Sequence, residues 1–221
     1  MRRHDAVVAG AAIVNLAASI ALLLPLREGT IAATLPGHRG DLGSRMRFIQ
    51  EHASAWAGGW AVWMVATISL LLFFWALHDA VGAEARRVSI LALLLAAPGA
   101  SADLLHDALQ ATVILDAARA GDRASFATWD RFTVVLGGGV VNLMYGLAGL
   151  AMTRALRLAG APRWLVLQSL AVWVTTLALS AAGFAGHALA LVVATALTMT
   201  QFVAFAMACA AHLRRRGGVL G

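Results

Sequence analysis

Six stretches of this 221-residue chain are apolar over about the 20 residues that a helix needs to cross a bilayer core: 6–25, 55–77, 88–114, 132–156, 164–182 and 188–212. In lipid, a segment of this kind must bond its own backbone N–H and C=O groups, which the α-helix does. The runs cover most of the chain and leave no room for a soluble module. The expected fold is therefore all-α, a single domain over 1–221 built as a polytopic bundle of six transmembrane helices. Only Gly183–His187 separates the last two runs, which demands a tight antiparallel hairpin.

Composition agrees with this reading. Hydrophobic residues make up 61% and charged residues 13%, against about 45–50% and about 25% in ordinary soluble domains. That excludes a soluble enzyme, a disordered tail and a secreted disulfide scaffold. Cys209 is the single cysteine, so neither an internal disulfide nor a Cys-rich metal site is available. All 17 basic residues are arginine, and the net charge of +6 on so apolar a chain points to anionic membrane lipids, with no nucleic acid as partner.

Arginine placement sets the expected orientation. One side carries Arg2, Arg3, Arg86, Arg87, Arg154, Arg157, Arg163 and Arg214–Arg216 against Asp5, Asp79 and Glu84. The other carries Arg27, Arg39, Arg45, Arg47, Arg119, Arg123 and Arg131, nearly balanced by Glu28, Asp41, Glu51, Asp116, Asp122 and Asp130. Both termini are thus expected to be cytoplasmic, in the inner membrane of a bacterium. The first run reads as an anchor rather than a signal peptide, because its core exceeds the usual 7–15 residues or so and no A-x-A site follows.

The third run holds the chemistry. Asp103, His106, Asp107 and Gln110 stand at i, i+3, i+4 and i+7 and form one polar stripe on one helix face. Pro98-Gly99 sits one turn earlier, where a kink is expected. Ionisable groups at this depth are costly and mark interior functional faces, although a polar stripe also serves to glue helices together. Antiparallel pairing with the second run places Asp103 level with Trp63 and Asp107 with Gly59. Trp56, Trp60 and Trp63 then form an aromatic face opposite the stripe. The same matching to the fourth run puts Gly139 beside Asp107 and Asn142 near Asp103, with Gly138, Asn142, Tyr145 and Gly149 on one face. Such walls suit a hydrophobic cation, a quinone-like ring or an isoprenoid chain; Trp56, with Trp129 and Trp164, also fits an interfacial belt.

Further out, Arg47-Phe-Ile-Gln-Glu51-His52 is expected to continue the second helix, with Ser44 as N-cap and Glu51 and His52 roofing the site. Glu51, His52, Asp103, His106 and Asp107 are acceptable zinc or iron ligands by type. No H-x-x-x-H or H-E-x-x-H occurs, however, and His52 falls roughly 12 Å above His106 at helical rise. No metal site is therefore assigned, and no cofactor is readable. Ser101 does not share a face with His106, and Gly137-Gly138-Gly139 lies inside a span and is no phosphate loop. His78, His187 and His212 read as interfacial residues.

A short first span, a long loop before Trp56-Ala-Gly-Gly-Trp60 and the Ala161-Pro162-Arg163-Trp164 entry to the fifth run resemble a group of uncharacterised bacterial six-helix membrane proteins. That resemblance implies the fold and supplies no catalytic residues.

The leading expectation is a membrane protein that binds a hydrophobic small molecule, lipid or isoprenoid-like, in an intramembrane cavity. Asp103, His106 and Asp107 handle protons or charge there, and Glu51, His52, Trp56, Trp60, Trp63, Gln110, Asn142 and Tyr145 line it. If it is an enzyme, the chemistry is acid/base cyclisation or isomerisation. A proton-coupled carrier and an accessory subunit of a membrane complex are the alternatives. The oligomeric state is open, a homo-oligomer included.

Overall fold

A computed structural model describes residues 2–26 and 42–218, and every regular element among them is helical. The loop residues Arg27, Glu28, Arg39 and Asp41, with the side chains of Arg2, Arg3 and Arg216, lie outside the described residues. The elements are α1 (Arg2–Leu26), α2 (Leu42–Glu51), α3 (Ala53–Ala80), α4 (Arg86–Leu109), α5 (Leu115–Ala120), α6 (Arg123–Thr133), α7 (Asn142–Leu158), α8 (Arg163–Ala185) and α9 (Ala188–Gly218). Two wide π-helical turns, Gln110–Ile114 and Val134–Val141, join α4 to α5 and α6 to α7 without a break in the helix.

Among the described residues, six helical segments are long and apolar enough to cross a membrane: His4–Ala21, Ala53–Ala80, Ala83–Ala120, Arg123–Leu158, Arg163–Ala185 and Leu189–Arg215. They match the six apolar runs. The third and fourth are longer than the hydropathy pattern indicates, because their polar ends stay helical up to the turn between them. There Gly121 adopts φ 68° and Asp122 caps α6 by accepting from the N–H groups of Ala124 and Ser125. Hydrogen bonds from the side chain and backbone of Ser125 hold the Asp122 carboxyl below its ordinary value.

The six long helices close into a ring in chain order. Each of α1, α3, α4, α7, α8 and α9 packs on the one before and the one after, and α9 returns to α1. Asp5 and Arg214 approach to 3.3 Å, so α1 begins at the same end of the bundle at which α9 finishes. The fifth and sixth helices turn through Gly186 at φ 64°, the tight hairpin that the short connection requires.

The two halves of the bundle differ. Away from α2 the interior is rich in aromatic rings: Phe73 packs on Phe202 at 5.1 Å between ring centroids and Phe74 on Trp173 at 5.4 Å. Toward α2 a second core collects Met46, Ile49, Trp56, Trp60, Ile114 and Phe126. Around the outside, large apolar side chains stand exposed, Ile13, Leu72, Trp75, Leu94 and Leu167 among them. A water-facing surface of that kind is a liability, whereas a lipid-facing one is the norm.

Two local expectations are corrected. Helix α2 starts at Leu42, so Ser44 lies inside it and is not its N-cap. Nor does α2 simply extend α3. His52, at φ −116° and ψ 30°, interrupts the regular helix, and α2 turns aside to bury Met46 and Ile49 against α5 and α6. Polar links fix it there: Arg45 meets Asp130 at 2.6 Å and lies over the Phe126 ring, and the Gln50 amide donates to the Ala118 carbonyl.

Close helix contact rests on small residues. A Cβ on Gly149 would fall within the Trp173 indole, and one on Gly183 would meet the backbone of Gly138 and Gly139. Gly149→Leu is therefore expected to abolish the monodisperse species on size exclusion in detergent. Gly58→Ala, where the new methyl meets nothing within 4 Å, should leave it intact. A well-behaved Gly149→Leu protein would contradict this packing.

Candidate functional site

The stripe on α4 faces inward between α3 and α7, just below the core that α2 covers. Asp103 is 8% exposed and Asp107 fully buried. Asp103 Oδ2 accepts from Thr67 Oγ1 at 2.8 Å and from the Tyr145 hydroxyl at 3.3 Å, so helices on both sides hold the carboxyl group. One turn on, His106 Nδ1 lies 3.0 Å from Asp107 Oδ1. The Trp60 indole stands edge-on to the imidazole with centroids 5.1 Å apart. At the next turn Gln110 donates to Thr133 Oγ1 at 3.0 Å, while the Gln110 carbonyl accepts from Trp56 Nε1 at 2.8 Å. The antiparallel pairing of α3 with α4 is therefore seen at three successive levels.

Glycines bring α4 and α7 this close. A Cβ on Gly99 would lie 3.1 Å from Met144 Cβ and 3.4 Å from the Tyr145 ring, so the bare backbone lets the phenol reach Asp103. Helix α4 runs unbroken through Pro98, and Gly99 is the residue of the pair that serves this approach. Gly137 does the same for His106: a methyl there would sit 2.6 Å from Nε2 of the ring. The wide turn that presents Gly137 frees backbone carbonyls, and side chains take them up. Asn142 Nδ2 donates to the carbonyls of Gly137 and Gly138, and Ser180 Oγ donates to that of Gly139.

Asn142 is accordingly turned away from Asp103, and Tyr145 takes the place expected for it. The wide turn changes the register of α7 against α4, which level-matching on a regular helix cannot anticipate. Glu51 and His52 are not brought to the cluster. Both are exposed, and His52 stacks on Phe48 with its Nδ1 3.0 Å from the Phe48 carbonyl. Trp56 and Trp60 are buried, and Trp63 is half-buried beside them. Three neighbours of the stripe are not among the expected site residues: Thr67, Thr133 and Gly137. Thr67 had a signal, because it extends the Trp56, Trp60, Trp63 face by one more turn.

Among the described residues, three buried polar atoms of this cluster have no hydrogen-bond partner: Asp107 Oδ2, Trp60 Nε1 and Gln110 Oε1. Each such atom inside a protein costs on the order of 1–3 kcal/mol, more where charge is involved. Two of the three belong to residues in contact with the His106 ring, Trp60 and Asp107, and the third lies one turn further along α4. Asp103, His106 and Asp107 also offer donor atoms that lie within 4.8 Å of one another. Comparison with protein-family models, curated proteins and solved structures found no match, so the reading of this site rests on its own geometry.

Removing one donor from Asp103, by Thr67→Val or Tyr145→Phe, is expected to lower stability in detergent by about 0.5–1.5 kcal/mol. The double variant should lose more than the two together, because the carboxyl group is then left without either bond. Unfolding midpoints read by intrinsic fluorescence provide the check; simple additivity would show that the two bonds act separately.

Proposed function

We propose that the chain is an integral membrane protein that binds a hydrophobic small molecule in the interior of its bundle. Asp103, His106 and Asp107 take the polar end of that molecule, and Trp56, Trp60, Trp63 and Tyr145 line its apolar part. The observation that carries this reading is the set of three unpartnered atoms, Asp107 Oδ2, Trp60 Nε1 and Gln110 Oε1, gathered beside aromatic walls. Helix gluing would use such groups up on neighbouring helices, as Thr67 and Tyr145 do with Asp103. These three remain available to a guest.

Two carboxyl groups and an imidazole one turn apart are also the equipment for proton transfer to a bound substrate. The enzymatic form of the proposal is an acid/base cyclisation or isomerisation of a lipid or isoprenoid-like molecule. A second reading, a proton-coupled carrier, is favoured by one feature: the polar groups run as a file along the bundle, from Asp103 through His106 and Asp107 to Gln110 and Thr133.

The decisive experiment is mass spectrometry of everything that co-purifies with the full chain in mild detergent. One hydrophobic molecule per chain is expected with the wild type and none with Trp60→Leu. A wild-type chain carrying only bulk lipid would overturn ligand binding. Proton flux into proteoliposomes under a pH gradient, lost in His106→Ala, would move the assignment to the carrier.

Orientation follows the arginine excess at the end that holds Arg86, Arg87, Arg154, Arg157 and Arg163. That end, with both termini, is placed in the cytoplasm, and α2 on the outer face. In a Cys209→Ala background, Ser44→Cys should react with an impermeant maleimide on intact cells. Glu84→Cys should react only after lysis. The reverse pattern would invert the topology.

A further inference from the structure

We infer that Asp103, His106 and Asp107 form a binding site for one divalent first-row cation, of the zinc, manganese or ferrous type. The inference rests on the reading of this cluster as a ligand site and adds what the ligand's polar end meets. The first argument is geometric. Metal–N and metal–O bonds of about 2.0–2.2 Å set donors of one chelate roughly 3 Å apart, and His106 Nδ1 stands 3.0 Å from Asp107 Oδ1. With Asp103 included, one donor atom from each of the three residues lies within 4.8 Å of the others. All three come from adjacent turns of α4, so their side chains leave one helix face toward the same space.

The second argument is the unpartnered Asp107 Oδ2, in a residue that is fully buried. Two carboxylates enclosed among apolar helices are compensated by one doubly charged cation, which leaves the interior neutral. Among the described residues, the hydrogen bonds and ion pairs found for Asp103 and Asp107 run to Thr67, Tyr145 and His106, none of which carries a permanent positive charge. The third is the support around the donors. Metal-ligating carboxylates are themselves hydrogen-bonded and ligating imidazoles are fixed in orientation. Thr67 and Tyr145 hold Asp103, while Gly137 and Trp60 confine the His106 ring.

The donor set selects the class of ion. With imidazole and carboxylate and no sulfur, it suits zinc, manganese or iron(II) rather than copper(I) or an iron–sulfur cluster. Three protein ligands leave a coordination position open, as sites that bind a further molecule do. Trp60, whose Nε1 has no partner, stands against the His106 ring.

The test uses the full chain, purified in detergent through a tag without histidines. Elemental analysis of the protein as isolated is followed by chelation and titration with cobalt(II), read by visible absorption and by the thermal unfolding midpoint. The expected result is one metal per chain, a cobalt spectrum that saturates at one equivalent, and a higher midpoint. Asp107→Asn and His106→Gln should each weaken cobalt binding at least tenfold, whereas the exposed-site variant His52→Ala should bind as the wild type does. A wild-type chain that is metal-free and takes no cobalt overturns the site. So does binding that survives unchanged in whichever of the two variants folds. An organic molecule bound without metal overturns the cation site alone. Cobalt bound at one equivalent with no organic molecule supports the cation site and removes the hydrophobic ligand.

Discussion

A carboxyl group set among apolar helices has little water to solvate it, so protein atoms must bond it, and Asp103 obtains its bonds from two different helices. Thr67 reaches it from α3 and Tyr145 from α7. Those two contacts fix the rotation of α3 and α7 about their axes relative to α4. Once they are made, the rest of the stripe has its surroundings determined. His106 and Asp107 fall opposite Trp60 and Gly137, and Gln110 falls opposite Trp56 and Thr133. Polar interhelical bonds in membranes are individually modest, about 0.6 kcal/mol on average. Their weight here is as register marks on helices that apolar packing alone would let slide.

The wide turn at Val134–Val141 is the complementary device. A regular helix would keep an even surface toward α4, whereas the π-helical turn offers three glycines in succession and lets the imidazole lie against the backbone. Widening a helix loosens its carbonyls, and inside an apolar bundle loose carbonyls are expensive. Asn142 and Ser180 supply the missing donors, the first from the following turn and the second from α8. The site and this distortion of α7 are thus one construction, and the polar residues that stabilise it do not touch the stripe itself.

Most of the architecture was legible in the chain, because hydrophobic length is a direct physical requirement of crossing a bilayer. All six runs, the tight Gly186 turn and the pairing of α3 with α4 follow from apolar length, loop length and helical periodicity. The stripe itself was also legible, since i, i+3, i+4, i+7 spacing is a statement about one face. Its partners were less so. Asn142 was expected beside Asp103 because level-matching assumes 3.6 residues per turn throughout, and the π-helical segment between α6 and α7 breaks that assumption. Glu51 and His52 were expected over the site because α2 reads as an extension of α3. Its amphipathic pattern instead serves the contact with α5 and α6, and no spacing rule says in which direction a helix will bend at His52.

The interior is asymmetric about the stripe. On one side of it the aromatic layer of Phe73, Phe74, Trp173, Phe202 and Phe205 fills the bundle with closely packed rings, which neither solvate a polar group nor leave it a path. On the other side lies the core shared with α2, held by two apolar anchors, Met46 and Ile49, and by the Arg45–Asp130 pair. That pair is partly exposed and α2 has only ten residues, so its attachment is weaker than that of any of the six long helices. The stripe therefore lies between a tightly packed aromatic layer and a more lightly attached cap, with Trp56 and Gln110 nearer the cap than His106 and Asp107. The order of the residues along α4, amide nearest the cap and Asp103 furthest from it, matches that gradient: the groups that are costliest to bury lie where α3, α4 and α7 enclose them most securely.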